Sequence, residues 1–334
     1  MSLRIATFNI ENLIARFDFT GFRNQLRSDR VLKLFEIKTE IGYQQLEAAR
    51  VVATTDDTRQ LSALAIADTD ADILCLQEVD NMESLQAFEY GYLFRMAGAG
   101  YRQKYIIEGN DSRGIDVAVL MREQTRGGER IELVDIKSHA ALTYRDLSLY
   151  HSGLGPNLQP DSKIFKRDCL ELDLRIGGRP LTLYVVHLKS MTTPRNGLDG
   201  RAASMPLRRA EVASVRRIIE TRFGPQAASE SNFVICGDMN DYQEKMVIGG
   251  SRRAGYTFAP TPEPDSALNL LSADGFVENA LRRRPVDDRW TLFHAHGLIE
   301  RHLCQLDYIW LSRALSAANP AVVPEIIRNG QPYR

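Results

Sequence analysis

The sequence predicts a layered fold of strands and covering helices, of the α/β or α+β type. Seven apolar runs, rich in Val, Ile, Leu and Tyr, have the four-to-eight-residue length and composition of strands. Between several of them, apolar residues recur at helical spacing, and that mixture excludes a helical bundle and an all-β sandwich. The chain has 334 residues, 44% hydrophobic and 25% charged, which permits a sizeable core and excludes a disordered or collagen-like protein.

"RIATF" (4–8) is the first strand, and 24–53 reads as helical with an interruption near Gly42. "TRQLSALAIAD" (58–68) is an amphipathic helix that ends just before the strand "DILCL" (72–76). "IDVAVLM" (115–121) is a third strand. In "CLELDLRI" (169–176) the alternation predicts a half-exposed antiparallel strand, and Gly177-Gly178 a hairpin turn into "LTLYVVHL" (181–188). A helix over 207–222 places Val212, Val215, Ile218 and Ile219 on one face. "FVICG" (233–237) has the continuous apolar character of a strand buried on both faces, and "QLDYIWL" (305–311) is the last strand. Residues 139–166, 190–206 and 243–266 lack periodicity and read as surface loops. No repeat, low-complexity tract or linker divides the chain, which predicts one domain over 1–334.

The formal net charge of −1 provides no global basic field for long nucleic acid, so any such contact must use local patches. No signal peptide and no apolar stretch of membrane-spanning length is visible. Cys75, Cys169, Cys236 and Cys304 form no CxxC pair, and three sit in or beside apolar runs. Buried free thiols and a cytoplasmic location are therefore expected.

Four strands share a further property: each ends on a polar group. Asn9 ends the first, Glu78 follows "DILCLQ", His187 ends "LTLYVV", and Asp238 and Asn240 end "FVICG". Buried charges are costly unless paired or metal-bound, so neighbouring strands with similarly directed ends would bring these groups into one crevice. Gly237 would let the backbone turn sharply or approach a ligand. Asp307, between Leu306 and Tyr308, also demands a partner. Glu78, Asp238, Asn9 and Asn240 offer hard oxygen donors, which suit Mg²⁺ or Mn²⁺ bound together with water and substrate phosphate, whereas no Cys/His spacing suits structural zinc. Asp238 could orient or deprotonate a water, and a charged His187 could donate to a phosphate oxygen. Taken singly, each has an ordinary alternative: Glu78 as a solvated loop residue, His187 as a strand-end histidine, and "GDMN" as a turn.

"TFNIEN", "LQEVD", "VVHLKS", "GDMND" and "LDYIWLS" occur in an order that resembles the endonuclease/exonuclease/phosphatase superfamily, of deoxyribonuclease I-like fold, over about residues 4–313. The resemblance implies an α/β four-layer sandwich, two packed mixed β-sheets flanked by helices, and Mg²⁺-dependent hydrolysis of phosphate esters, with Mn²⁺ as a substitute. It implies that Glu78 is the principal metal ligand with Asn9 beside the metal. It further implies that Asp238 positions or activates the nucleophile, that Asn240 and His187 contact phosphate, and that Asp307 orients a second histidine. The same resemblance implies a late Ser-Asp-His motif and a last strand after the Asp-Tyr pair, but 27 residues follow Asp307 without that motif, and His294, His296 and His302 all precede it. A truncated chain of weak or no activity is the expectation, and a natural variant without that general acid/base the alternative.

Arg113, Tyr144, Arg145, Arg167 and Lys189 are further candidates for phosphate contact, each with a solvated or structural alternative. Arg195, Arg201, Arg208 and Arg209, set against Asp199 alone, form either a polyanion patch or a solvated approach to the helix. The leading expectation is a nuclease acting on phosphodiesters. A small-molecule or phospholipid phosphodiesterase or phosphatase is the second, and a non-catalytic binding module on the same fold the third. The expected partner is a phosphate-ester substrate, nucleic acid among the candidates, with no membrane span and no obligate protein partner.

Overall fold

The computed structural model describes residues 3–13, 38–42, 56–98, 100–111, 113–191, 199–296 and 300–328. Most of the helix expected over 24–53, and Arg195, lie outside these residues. One main sheet has the order β1-β2-β4-β3, from Ile5–Leu13 (β1), Ile73–Val79 (β2), Gln103–Ile106 (β3) and Asp116–Met121 (β4). The other main sheet contains Ile131–Ser138 (β5), Cys169–Ile176 (β6), Arg179–His187 (β7), Phe233–Asp238 (β8), Val277–Asn279 (β11) and Asp307–Ser312 (β14). Its order is β11-β14-β8-β7-β6-β5. A third, smaller sheet joins Glu244–Ser251 (β9), Gly255–Pro262 (β10), Leu292–His296 (β12) and Glu300–Cys304 (β13).

The two main sheets pack face to face, and side-chain alternation shows which residues meet. Ile73 and Cys75 of β2, Val117 and Val119 of β4, Leu183 and Val185 of β7, and Val234 and Cys236 of β8 fill the seam between the sheets. Residues of opposite parity face outward. Leu74 and Leu76 pack under α1 (Asp56–Thr69) and α2 (Met82–Phe88) through Ala63, Ile66, Leu85 and Phe88. Tyr184, Val186, Phe233 and Ile235 pack under α3 (Gly200–Phe223) through Val212, Val215, Ile218 and Ile219. Helix, sheet, sheet and helix make four layers, as the resemblance implies, and each fully buried aliphatic side chain contributes about 2 kcal/mol.

All seven apolar runs are strands. The Gly177-Gly178 turn joins β6 to β7 with both glycines at positive φ, 53° and 83°, which matches the twist of a two-residue hairpin. "FVICGD" is buried throughout and pairs in parallel with β7 on one side and antiparallel with β14 on the other.

Several expectations are corrected. Residues 244–262, read as loop, form the hairpin β9–β10, whose outer strand is too exposed for apolar alternation to mark it. The loop expected over 190–206 becomes helix at Gly200, because Asp199 caps it by accepting from the amide of Ala202, and the helix continues past the interior Pro206. Strand β6 is not half-exposed: Glu171 is buried, paired with His139 at 2.8 Å and with Arg222. The cysteines are buried and free, and no helix of the described residues is long and apolar enough to cross a membrane.

Candidate active site

The polar strand ends meet where the seam between the sheets opens. β1 runs parallel to β2, and β7 parallel to β8, so their carboxyl ends lie together. Alternation places Asn9, His187 and Asp238 on the seam side, in phase with Ile5, Val185 and Cys236. β14 runs antiparallel to β8, which brings Asp307, at the start of its strand, into register with Asp238. Glu78 is out of phase: strict alternation would turn it outward with Leu76. The ladder between β2 and β4 is interrupted between Gln77 and Val79, and Glu78 takes φ 67°. This bulge re-aims the carboxylate, a use of irregular strands that recurs beside active sites.

His187 is the hub. Its Nε2 lies 3.8 Å from Glu78 Oε1 and 3.8 Å from Asp238 Oδ2. The two carboxylate oxygens are therefore no farther apart than twice that distance, a gap one hydrated ion can bridge. His187 Nδ1 is buried with no hydrogen-bond partner among the described residues. Burial first, then the charges of Arg167, Arg113 and Lys189, hold the imidazole pKa well below its usual 6.5, so it is neutral at pH 7.

Asp238 Oδ2 accepts from Asn9 Nδ2 at 3.0 Å, and its Oδ1 from the Asn240 amide at 2.8 Å. Asn9 Oδ1 already accepts from the amide of Glu11 at 3.0 Å but retains a second lone pair. Asn240 sits at φ 48°, a left-handed conformation asparagine tolerates, and donates to the Leu188 carbonyl at 3.1 Å. Burial, then the charge of Asp307, raises the Asp238 pKa to about 7; the bonds from Asn9 and Asn240 oppose the rise and Glu78 adds to it. Burial also lifts Asp307 to about 6, against a hydrogen bond from Thr291. Thr291 Oγ1 also accepts the amides of Leu306 and Asp307, so it supplies the partner that Asp307 demands.

Beyond His187 lies a cationic half. Arg113 grips Asp111 through Nε and Nη2, each at 3.1 Å, and is half exposed. Arg167 is 2% exposed and committed inward, donating to Leu188 O at 2.9 Å and Asp111 at 3.4 Å. Burial, then Arg167, lowers the Lys189 pKa. Tyr144 is not brought to this surface: it is 2% exposed within the core under α3, where burial lifts its hydroxyl pKa to about 12. The Arg145 guanidinium pairs with Asp161. Arg201 is held by Asp241 and Glu263, and Arg208 is fully buried, so these two members of the expected basic patch are structural. Asp111, Glu211 and Thr291 were missed; none ends an apolar strand, and no local pattern marks them.

Among the described residues, no three His, Cys, Asp or Glu side chains form a cluster that could hold an ion by themselves. Mg²⁺ takes one or two carboxylates and keeps its waters, so Glu78 with Asn9, facing Asp238, is a suitable donor set. The crowding of Asp238 by Asp307 and Glu78 fits a bound cation, because positive charge there would offset it.

The family model described as Endonuclease/Exonuclease/phosphatase family matches residues 6–327. The chain belongs to this family. Its members, as the name states, act on phosphate esters, and the layered fold and convergent strand ends described above are the form that membership takes in this chain. A search of curated proteins found no match. Solved structures similar to this family member include truncated TDP2 of Caenorhabditis elegans, at 15% identity, 77% of each chain covered and a TM-score of 0.43. D. rerio TDP2 complexed with single strand DNA product has 16% identity, covers 82% of this chain and 83% of its own, and has a TM-score of 0.46. A beta hairpin deletion mutant of beta toxin from Staphylococcus aureus has 10% identity, covers 100% of this chain and 95% of its own, and has a TM-score of 0.46.

Proposed function

We propose that this chain hydrolyses phosphodiester bonds by in-line attack of water, and that nucleic acid is its substrate class. The observation that carries the reading is the placement of a buried His187, 3.8 Å from each of two carboxylates, between an acidic and a cationic half. Glu78 and Asn9 would hold Mg²⁺, or Mn²⁺ in its place, and the bound ion supplies charge neutralisation at the phosphoryl oxygens. Asp238, set among these groups and held by Asn9 and the Asn240 amide, is placed to take a proton from water. His187 donates a hydrogen bond to a non-bridging oxygen, and Lys189, with the Arg113 donors not engaged by Asp111, binds the phosphate. Asn240 and Arg167 keep the backbone that carries His187 and Lys189 in place through Leu188 O.

Incubation with Mg²⁺ and, separately, plasmid DNA, RNA, sphingomyelin and inositol phosphates tests the reading. Weak cleavage of DNA or RNA, lost in Glu78→Ala, is expected. Hydrolysis confined to sphingomyelin would reassign the substrate to phospholipid, and hydrolysis of none would overturn the reading. Millimolar Mg²⁺ or Mn²⁺ is also expected to raise the melting temperature by several degrees, since ligand at 100 times its Kd adds about 2.7 kcal/mol. An equal rise in Glu78→Ala would remove Glu78 from the metal site.

A further inference from the structure

Helix α3 covers the outer face of the second sheet, yet two of its side chains reach through to the site. Glu211 is 1% exposed, and its Oε2 accepts from the backbone amide of Lys189 at 2.6 Å. Arg208, one turn earlier and fully buried, donates through Nη1 to the carbonyl of the same residue at 3.1 Å. Both backbone polar groups of Lys189 are therefore held by one helix. The preceding residue is equally fixed: Leu188 donates to Asp238 O at 3.0 Å, and its carbonyl accepts from Arg167 and Asn240. β7 ends at His187; beyond it Leu188 keeps one backbone bond to β8, and side chains supply the other three hydrogen bonds that a ladder would make.

We propose that Glu211 is a positioning residue for the phosphate-binding half of the site, acting through the backbone of Lys189 to set the aim of its ammonium group. The inference rests on the phosphodiesterase reading above. Burying a carboxylate is costly, and here the backbone bond to Lys189 and the charges of Arg167, Arg208 and Lys189 offset only part of that cost, so burial still raises its pKa to about 7. A core helix position has no need of a buried acid: Val212 and Val215 on the same helix pack the sheet with apolar side chains. The carboxylate is needed where a strand has ended and an amide beside the site must stay fixed. A loose Lys189 would misplace its charge relative to the substrate phosphate, and small misplacements at such sites cost large factors in rate.

The test compares Glu211→Leu, Glu211→Gln and Glu211→Asp in the full chain, reading kcat, KM and the inhibition constant of inorganic phosphate. Melting temperature and near-ultraviolet circular dichroism report folding. Glu211→Leu is expected to weaken phosphate inhibition and raise KM at least tenfold. Glu211→Gln, whose amide oxygen can still accept from Lys189, should recover most of that loss. In a Lys189→Ala background, Glu211→Leu should add little, because the group it aims is gone. A purely structural role would lower stability and the active fraction but leave the phosphate constant unchanged, and that result would overturn the proposal, as would additive effects in the double variant. If Glu211→Leu does not fold, Glu211→Asp decides: it keeps the charge but is one methylene short, so a wild-type phosphate constant would overturn the proposal. An inactive wild-type chain that still binds phosphate with this Glu211 dependence would refute the hydrolytic reading alone.

Discussion

Gly237→Ala is expected to destabilise the protein by about 4 kcal/mol or more, at the severe end for a single substitution. Gly237 has φ 139°, and a Cβ built there would lie 1.8 Å from the backbone oxygen of Val186. That oxygen belongs to the parallel ladder in which Val186 is the register partner of Gly237, and on the other side Tyr308 of β14 pairs with the same residue. The strand is clamped between two neighbours, so the clash can be relieved only by breaking ladder hydrogen bonds one residue before Asp238. Guanidinium denaturation should show the loss, and the melting temperature should fall by on the order of 10 °C. A midpoint equal to wild type would mean that β8 does not approach β7 as closely as described.

Asp238→Asn is expected to reduce turnover by about a thousandfold while the protein remains folded, since proton transfer and the negative charge facing the cation are lost together. Its effect on pH dependence is equally diagnostic. In the folded state Asp238 holds its proton up to about pH 7, whereas the unfolded chain releases it near 3.8. The folded form thus binds more protons between these values, so this group's contribution to stability is full below about pH 4 and is lost as pH rises to 7. His187 acts in the opposite sense: its folded pKa is lowered, and its contribution is lost as pH falls through 6.5, where the unfolded imidazole takes up a proton that the buried one refuses. Urea denaturation of the metal-free protein from pH 4 to 8 should show a smaller loss of stability toward pH 7 in Asp238→Asn than in wild type. Parallel stability curves for the two proteins, or retained turnover, would remove Asp238 from its assigned role.

The legible part of the fold was the part with strong periodicity. Buried strands such as "FVICG" and "IDVAVLM" carry continuous apolar runs, and the covering helices carry an apolar face. β9, β10 and β12 were illegible because the outer sheet is substantially exposed: Phe258 and Phe293 are more than 40% open to solvent, and neighbouring positions are polar or small. The start of α3 was hidden by Pro, Asn-Gly and Asp-Gly signals that in general mark turns, and here Asp199 serves as the helix cap while Pro206 is carried inside the helix. Tyr144 and Arg208 show a different limit. A polar or amphipathic side chain looks the same in sequence whether it faces substrate or is consumed by the core.

The order of residues alone determined the seven apolar strands and which polar groups stand at the ends of four of them. Their side of the sheet, in phase with the buried seam residues, was fixed only once the sheets were packed. Only the tertiary structure decided that these ends coincide: Asn9 and Asp238 are hydrogen-bonded across 229 positions of chain. It decided too that Glu78 faces the site, because a bulge overrides the alternation that sequence reading relies on. Periodicity is local and propagates along one strand, whereas the register between strands, the breaks in that register and the partners of buried charges arise only when separate segments pack together.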